Sequence, residues 1–241
     1  MKKALILQGG WDGHEPKLTS KRFAGLLEKN GFEARVSDTL EDLADLDKLL
    51  ENDLIVMCWT MGGPNDNCHS NILAKAIGAG VGIAGCHGGM CDSFRNDTEY
   101  QFITGGQWVS HPGGDGIEYT VDVCDPSNPI TEGIGSFKVK SEHYYLHIDP
   151  AVSVLAATRF PLVNYWHISN KPVDMPVVWT KMWGNGRVFY TSLGHHDDVF
   201  DNSPEAQIIM ERGMLWAAGG KEYAKTHGLT TQRFENTAKM Y

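Results

Sequence analysis

Six consecutive apolar residues, Leu54-Ile55-Val56-Met57-Cys58-Trp59, constrain this chain more than any other feature. A strand with one wet face alternates polar and apolar residues. An unbroken run reads instead as a central parallel strand covered on both faces. The flanking sequence agrees. The short run ALIL at 4–7 ends in Gly9-Gly10, and from about Leu18 to Asn30 the residues Phe23, Leu26 and Leu27 fall on one helical face, with Gly31 as the stop. EARVS at 33–37 reads as a second strand and 41–51 as a short acidic helix. A helix over Ser70 to Ala79 buries Ile72, Leu73, Ala76 and Ile77, and VGIAGC at 81–86 is a fourth strand. Strands alternating with helices predict an α/β fold: three α/β/α layers around a mostly parallel sheet.

The second half predicts an antiparallel extension. EYTVDV (118–123), FKVKS (137–141), VSVLAAT (152–158), PVVWTK (176–181) and GRVFYTSL (186–193) read as strands, and Trp183-Gly184-Asn185-Gly186 has the turn chemistry of a hairpin. The last helix is expected to start with Ser203 as N-cap and Pro204 in its first turn. It should pack Ile208, Ile209, Leu215 and Trp216 on one face and end at Gly219-Gly220. Residues 221–241 read as a polar tail that packs on this chain or on a second copy, which makes a homo-oligomer an expectation. No linker divides residues 1–241, so a single domain is expected.

A net charge of −9 lacks the basic face that nucleic acid requires. No apolar run reaches the roughly 20 residues of a membrane span, and MKKALILQGG has too short an apolar patch for a signal peptide. Five cysteines without a CxxC pair give neither a disulfide framework nor a zinc knuckle. A reduced, cytoplasmic protein is the expectation.

In open parallel sheets, ligands bind beyond the carboxyl ends of the strands. Here those ends carry the reactive groups. The first is followed by Trp11, Asp12, His14 and Glu15. The third is followed by Gly62-Gly63, the fourth ends in Cys86-His87, and the last runs into His195-His196-Asp197-Asp198. Gly9, Gly10 and Gly13 lack the GxGxxG spacing of a dinucleotide fingerprint, so neither NAD nor flavin is expected.

The order strand–GGP, strand–turn–helix with a cysteine, and strand–His-x-acid resembles the flavodoxin-like, class I glutamine amidotransferase-like fold. That resemblance implies Cys86 as nucleophile, His195 as base, Asp197 as its orienting acid, and an oxyanion hole at Gly62-Gly63. A thiolate there would gain from a helix N-terminus and an imidazole. HGGMCDSFR (87–95), YQFITGGQWVSHPGG (100–114), SEHYYLHIDP (141–150) and PVVWTKMWGNGRVFYTSLGH (176–195) resemble the ThuA-like (trehalose utilisation) family of the same fold. That family's pattern centres on the histidine after the elbow strand, here His87. Met90 stands where the amidotransferase turn carries glutamine, so glutamine hydrolysis is not expected. The resemblance implies a sugar-processing enzyme acting on trehalose or a related keto-sugar. The alternatives are a Cys-His-Asp hydrolase and a non-catalytic sugar-binding protein.

His87, Glu142, His147 and His195 are the candidate catalytic and metal-ligating set, since imidazoles plus a carboxylate suit a divalent ion such as zinc. No HExxH spacing is present, and a bracing role for Glu142 and His147 stands beside the ligand role. Cys86 reads first as an inert buried thiol, and Cys58, Cys68, Cys91 and Cys124 read as structural. Trp11, Trp59 and Trp108 offer flat rings for the C–H face of a sugar, with His14, His111, Gly62 and Gly63 completing the candidate substrate-binding set. Arg95 is expected to pair on the surface with Asp92 or Asp97.

Overall fold

The computed structural model describes residues 1–63 and 65–234. Residues 235–241 of the expected tail lie outside the described residues. The first half runs β1 (Lys2–Gly10), α1 (Pro16–Lys29), β2 (Phe32–Ser37), α2 (Leu46–Glu51), β3 (Leu54–Thr60), α3 (Ser70–Gly78), β4 (Gly82–Cys86), α4 (Gly88–Cys91) and α5 (Thr98–Thr104). It continues with β5 (Gly106–Ser110), β6 (Ile117–Val123), β7 (Phe137–Ser141), β8 (Tyr145–Ile148), β9 (Ser153–Phe160), β10 (Val173–Trp183), β11 (Gly186–Thr191), α6 (Val199–Asn202) and α7 (Pro204–Thr226). Nine strands form one sheet in the order β2-β1-β3-β4-β11-β10-β9-β6-β7, and β5 and β8 form a small separate one. The five strands from β2 to β11 are parallel, and the remaining four extend the sheet antiparallel.

β3 is the middle one of the five parallel strands, and every residue of it is buried. Its two sides feed two cores. Leu54, Val56 and Cys58 pack with Phe23, Leu26 and Leu27 of α1 and Ile209, Met210 and Met214 of α7. Ile55, Met57 and Trp59 pack with Leu49, Leu73, Ala76, Ile77 and Ile103. Each such side chain contributes about 1.5–3 kcal/mol by leaving water, so covering both faces is what makes a fully apolar strand stable. The hairpin predicted at Trp183–Gly186 joins β10 to β11 in antiparallel register.

Three expectations about α7 and one about 41–51 need correction. α7 does not stop at Gly219-Gly220 but continues to Thr226. The glycines serve close packing: a methyl group on Gly219 would fall 2.8 Å from the Arg187 guanidinium, and one on Gly220 3.0 Å from the Gly80 carbonyl. Ser203 makes no side-chain cap, although Pro204 does begin the helix. The buried face is Ala206, Ile209, Met210, Gly213, Met214, Ala217 and Ala218, with Ile208 exposed, because close approach to β11 selects small residues. The acidic segment divides into a 3-10 turn (Leu40–Leu43) and α2, since the Asp45 side chain accepts from Asp47 and Lys48 and starts a new helix.

Candidate metal centre

Strands β1, β3, β4 and β11 are neighbours in the sheet, so their carboxyl ends converge. After β1 a 3-10 turn (Asp12–His14) lifts His14 over the sheet edge, and Pro16 starts α1 at once. After β4 the backbone turns sharply at His87, with φ 47 and ψ −138, a conformation few non-glycine residues adopt. The turn is clamped. The His87 amide donates to the Thr191 carbonyl at 2.7 Å, and its carbonyl accepts from the Tyr190 hydroxyl at 3.1 Å. The ring stacks on Tyr144 at 3.8 Å. After β11, Gly194 at φ 103 turns the chain so that His195 faces inward. Glu142 comes from the unpaired stretch between β7 and β8, its backbone carbonyl fixed by the Tyr119 hydroxyl at 3.1 Å.

His14, His87, Glu142 and His195 are all buried, and one ligand atom of each lies within 4.8 Å of the others, so the group can hold a metal ion. Three of the atoms form a nearly equilateral triangle. Glu142 Oε2 is 3.1 Å from His87 Nε2 and 3.2 Å from His195 Nδ1, and the two nitrogens are 3.3 Å apart. His14 Nδ1 bonds the Thr60 hydroxyl at 2.8 Å, which leaves Nε2 as its second nitrogen. Gly88 makes room for this ring, because a methyl group there would stand 2.3 Å from His14 Cε1.

Protonation follows from the partners. His87 Nδ1 lies 2.8 Å from the Ser192 carbonyl, which can only accept, so Nδ1 carries the proton. Burial holds His87 below its ordinary pKa, against the pull of Glu142. The neutral ring therefore turns a lone pair from Nε2 toward Glu142. Burial, then the neighbouring His87 and His195, push His14 down to about 2. Burial opposes ionisation of Glu142, but the hydrogen bond from His195 outweighs it and holds the carboxyl well below its usual range. The group thus presents an ionised carboxylate and at least two neutral imidazoles, the protonation states a divalent cation binds. The Nδ1–carbonyl bond of His87 is also the outer support metal-ligating histidines commonly have.

Other candidates lie elsewhere. His147 is exposed: Leu146 points into the core, and strand alternation sends His147 outward, opposite Gln107 of β5. It is not in the group, and His14, expected at a substrate surface, takes the fourth place. Cys86, Asp197 and the glycine loop do not assemble a triad. The Cys86 thiol is buried beside a small cavity lined by His14, Thr19, Cys58 and Thr60, and burial pushes its pKa up to about 12. Asp197 gives both oxygens to Arg22 at 2.8 Å rather than to His195. The amides expected to stabilise an oxyanion are spent, Gly62 on the Thr60 carbonyl and Gly63 on Asp66. Trp59 is buried, with Nε1 on Asp66 at 3.3 Å.

At the mouth, Trp11 is half exposed and meets His14 edge-on at 4.8 Å. His111 is 40% exposed, with Nδ1 3.6 Å from Glu142 Oε1. Trp108 lies beside His111 and carries the Arg95 guanidinium 4.5 Å over its ring; Arg95 pairs with Asp92 at 2.6 Å, but Asp92 is buried, so this is not the surface pair expected. The sequence reading did not select Tyr144, Thr60 or the Ser192 carbonyl. Only Tyr144 left a signal, inside SEHYYLH; a main-chain carbonyl leaves none.

The trehalose utilisation family model, ThuA, matches residues 3–217. A ThuA-like protein from Bacteroides uniformis superposes with a TM-score of 0.71 at 21% identity, over 90% of this chain and 91% of that one. A second, from Parabacteroides merdae, gives 0.69 at 19% identity over 91% of each. A glutamine amidotransferase from Thermotoga maritima gives 0.50 at 12% identity, over 97% of this chain and 96% of the other, a likeness of fold alone. No curated protein matches the sequence. With the family's pattern running from β1 into α7, the chain belongs to the trehalose utilisation (ThuA) family.

Proposed function

We propose that this protein is an enzyme of carbohydrate utilisation that holds a divalent cation, such as zinc, on His14, His87, Glu142 and His195 and performs acid–base chemistry on trehalose or a related keto-sugar. The observation that carries the metal is the donor triangle with edges of 3.1, 3.2 and 3.3 Å. Two ligands of a tetrahedral ion at about 2.1 Å stand about 3.4 Å apart. Three inward donors at that spacing, with too few protons to join them, match three corners of such a site.

When bound, the ion would polarise a sugar carbonyl or hydroxyl as a Lewis acid. The chain's own residues then divide the remaining work. His87 is fixed in one tautomer by the Ser192 carbonyl and in orientation by the stacked Tyr144 ring. His111, at the mouth and 3.6 Å from the free oxygen of Glu142, is placed to take or give a proton at a substrate hydroxyl, with Nδ1 as the exchanging atom. Half-exposed Trp11, edge-on to His14, offers an apolar face to a sugar ring. Family membership supports the sugar class.

The test is metal analysis of protein purified without added metal, with zinc titration after chelator treatment. At least one ion should bind, with affinity reduced about 100-fold or more in Glu142→Gln and His87→Ala, beyond the usual effect of losing an outer support. Sugars and their oxidised keto forms are then assayed with the loaded protein. Unchanged zinc affinity in Glu142→Gln overturns the metal reading. Full turnover in His87→Ala overturns the catalytic one.

A further inference from the structure

Just outside the buried group the fold brings together a second set of donors. Asp115, His195 and His196 each place one ligand atom within 4.8 Å of the others. His196 Nε2 is 3.5 Å from Asp115 Oδ2, and His196 Nδ1 is 3.8 Å from Glu15 Oε2. Both gaps exceed a hydrogen bond, and the first equals the separation of two ligands on one tetrahedral ion. His196 Nδ1 is shut off from solvent and has no hydrogen-bond partner among the described residues. Asp115 reaches this position on the loop Gly113-Gly114-Asp115-Gly116, whose three glycines have φ of 96, 69 and 77. At Gly114 nothing lies within 4 Å of where a methyl group would sit, so it is the backbone turn that calls for glycine there. Asp115 Oδ1 accepts from the Gly116 amide at 2.7 Å, which leaves Oδ2 for His196. Asp115 is half exposed and His196 38% exposed, so this set opens to solvent where the first is enclosed.

We infer that Asp115, His195 and His196 form an outer divalent-cation position that shares His195 with the buried group, so that the centre takes two cations. This rests on the metal reading of the buried group given above. An imidazole has two ring nitrogens, one for each position. Serving both costs His195 its last N–H proton, which passes to solvent as the outer cation binds. The outer cation lies where a substrate arrives, and its ligand class is an oxygen pair such as a vicinal diol or a hydroxy-ketone, which suits a hard or borderline ion with open positions.

The experiment is calorimetric titration of zinc into the chelator-stripped full chain, with bound metal counted after desalting. The expected result is two equivalents in two affinity classes. Asp115→Asn and, independently, His196→Gln should remove the weaker class and leave the tighter one within about threefold. Both side chains are half exposed, and unchanged thermal melts of the stripped variants confirm that they fold. One equivalent in the wild type, unaltered by Asp115→Asn, overturns the outer position while the buried one stands. No bound zinc overturns both readings.

Discussion

At Gly88 the absent side chain decides where His14 can go. Gly88→Ala puts a methyl group 2.3 Å from His14 Cε1 and 2.5 Å from Nδ1, so the ring must leave the Thr60 hydroxyl. Zinc affinity is expected to fall by about 10–100-fold, the usual effect of losing a ligand's orientation, as read by competition with a chromogenic chelator. Cys86→Ala should behave oppositely. Its thiol is buried and protonated, so turnover is expected to stay within about threefold while stability falls by about 1 kcal/mol for the lost volume. His143 carries a pH effect of its own. It is buried, stacks on Phe160 at 3.7 Å and bonds the Thr158 hydroxyl at 3.1 Å, and burial, with His167 nearby, lowers its pKa to about 3. The folded state therefore binds fewer protons than the unfolded chain below about pH 6.5. Stability is full above that value and falls as acidity rises toward pH 3, by about 2 kcal/mol from this residue between pH 7 and pH 5. His143→Phe should flatten a urea-midpoint profile by that amount; an unchanged slope counts against a neutral His143.

Among the elements, α7 is the one whose sequence signals mislead. Glycines that normally end helices sit inside it, because the helix lies so close to β11 and β4 that larger residues do not fit. Gly213 is the tightest point: a methyl group would come 2.3 Å from the Phe189 ring. Gly213→Ala adds a good helix former, yet overpacking should win and cost about 1–3 kcal/mol, seen as a lower thermal midpoint. A raised midpoint would mean that helix propensity outweighs packing there. The elbow after β4 has the same character. Sequence placed a turn with a reactive group there, but the residue in the strained conformation is His87, one position beyond the thiol. A period-2 strand fixes where the turn begins, and only the backbone angles decide which side chain it displays.

Across the whole molecule, a bound cation couples the site to global stability. His14, His87 and His195 follow three parallel strands and Glu142 comes from the antiparallel extension, so an ion ties the two halves of the sheet together. Free zinc at 100 times its dissociation constant stabilises by about 2.7 kcal/mol, or roughly 5–10 °C in midpoint for a chain of this size. Chelation should reverse that shift in the wild type and have a much smaller effect in Glu142→Gln. Equal responses in the two proteins would place any bound metal elsewhere. No helix among the described residues is long and apolar enough to cross a membrane.

Sequence alone determined the layer order. Continuous apolar runs, one-sided helical faces and glycine or Asn-Gly turns are local patterns, and burial acts on them the same way wherever the strand finally sits. It also placed the reactive residues at strand ends and marked His87, Glu142 and His195. What it could not determine was which of them meet. Glu142 lies 55 residues from His87, and its rotation depends on an irregular stretch with no period to read. His147 and His14 exchanged roles because a single strand alternation turned one outward, while a 3-10 turn carried the other in. Such distances are set by how the two halves of the sheet pack, a global balance of contacts that leaves no pattern within either segment.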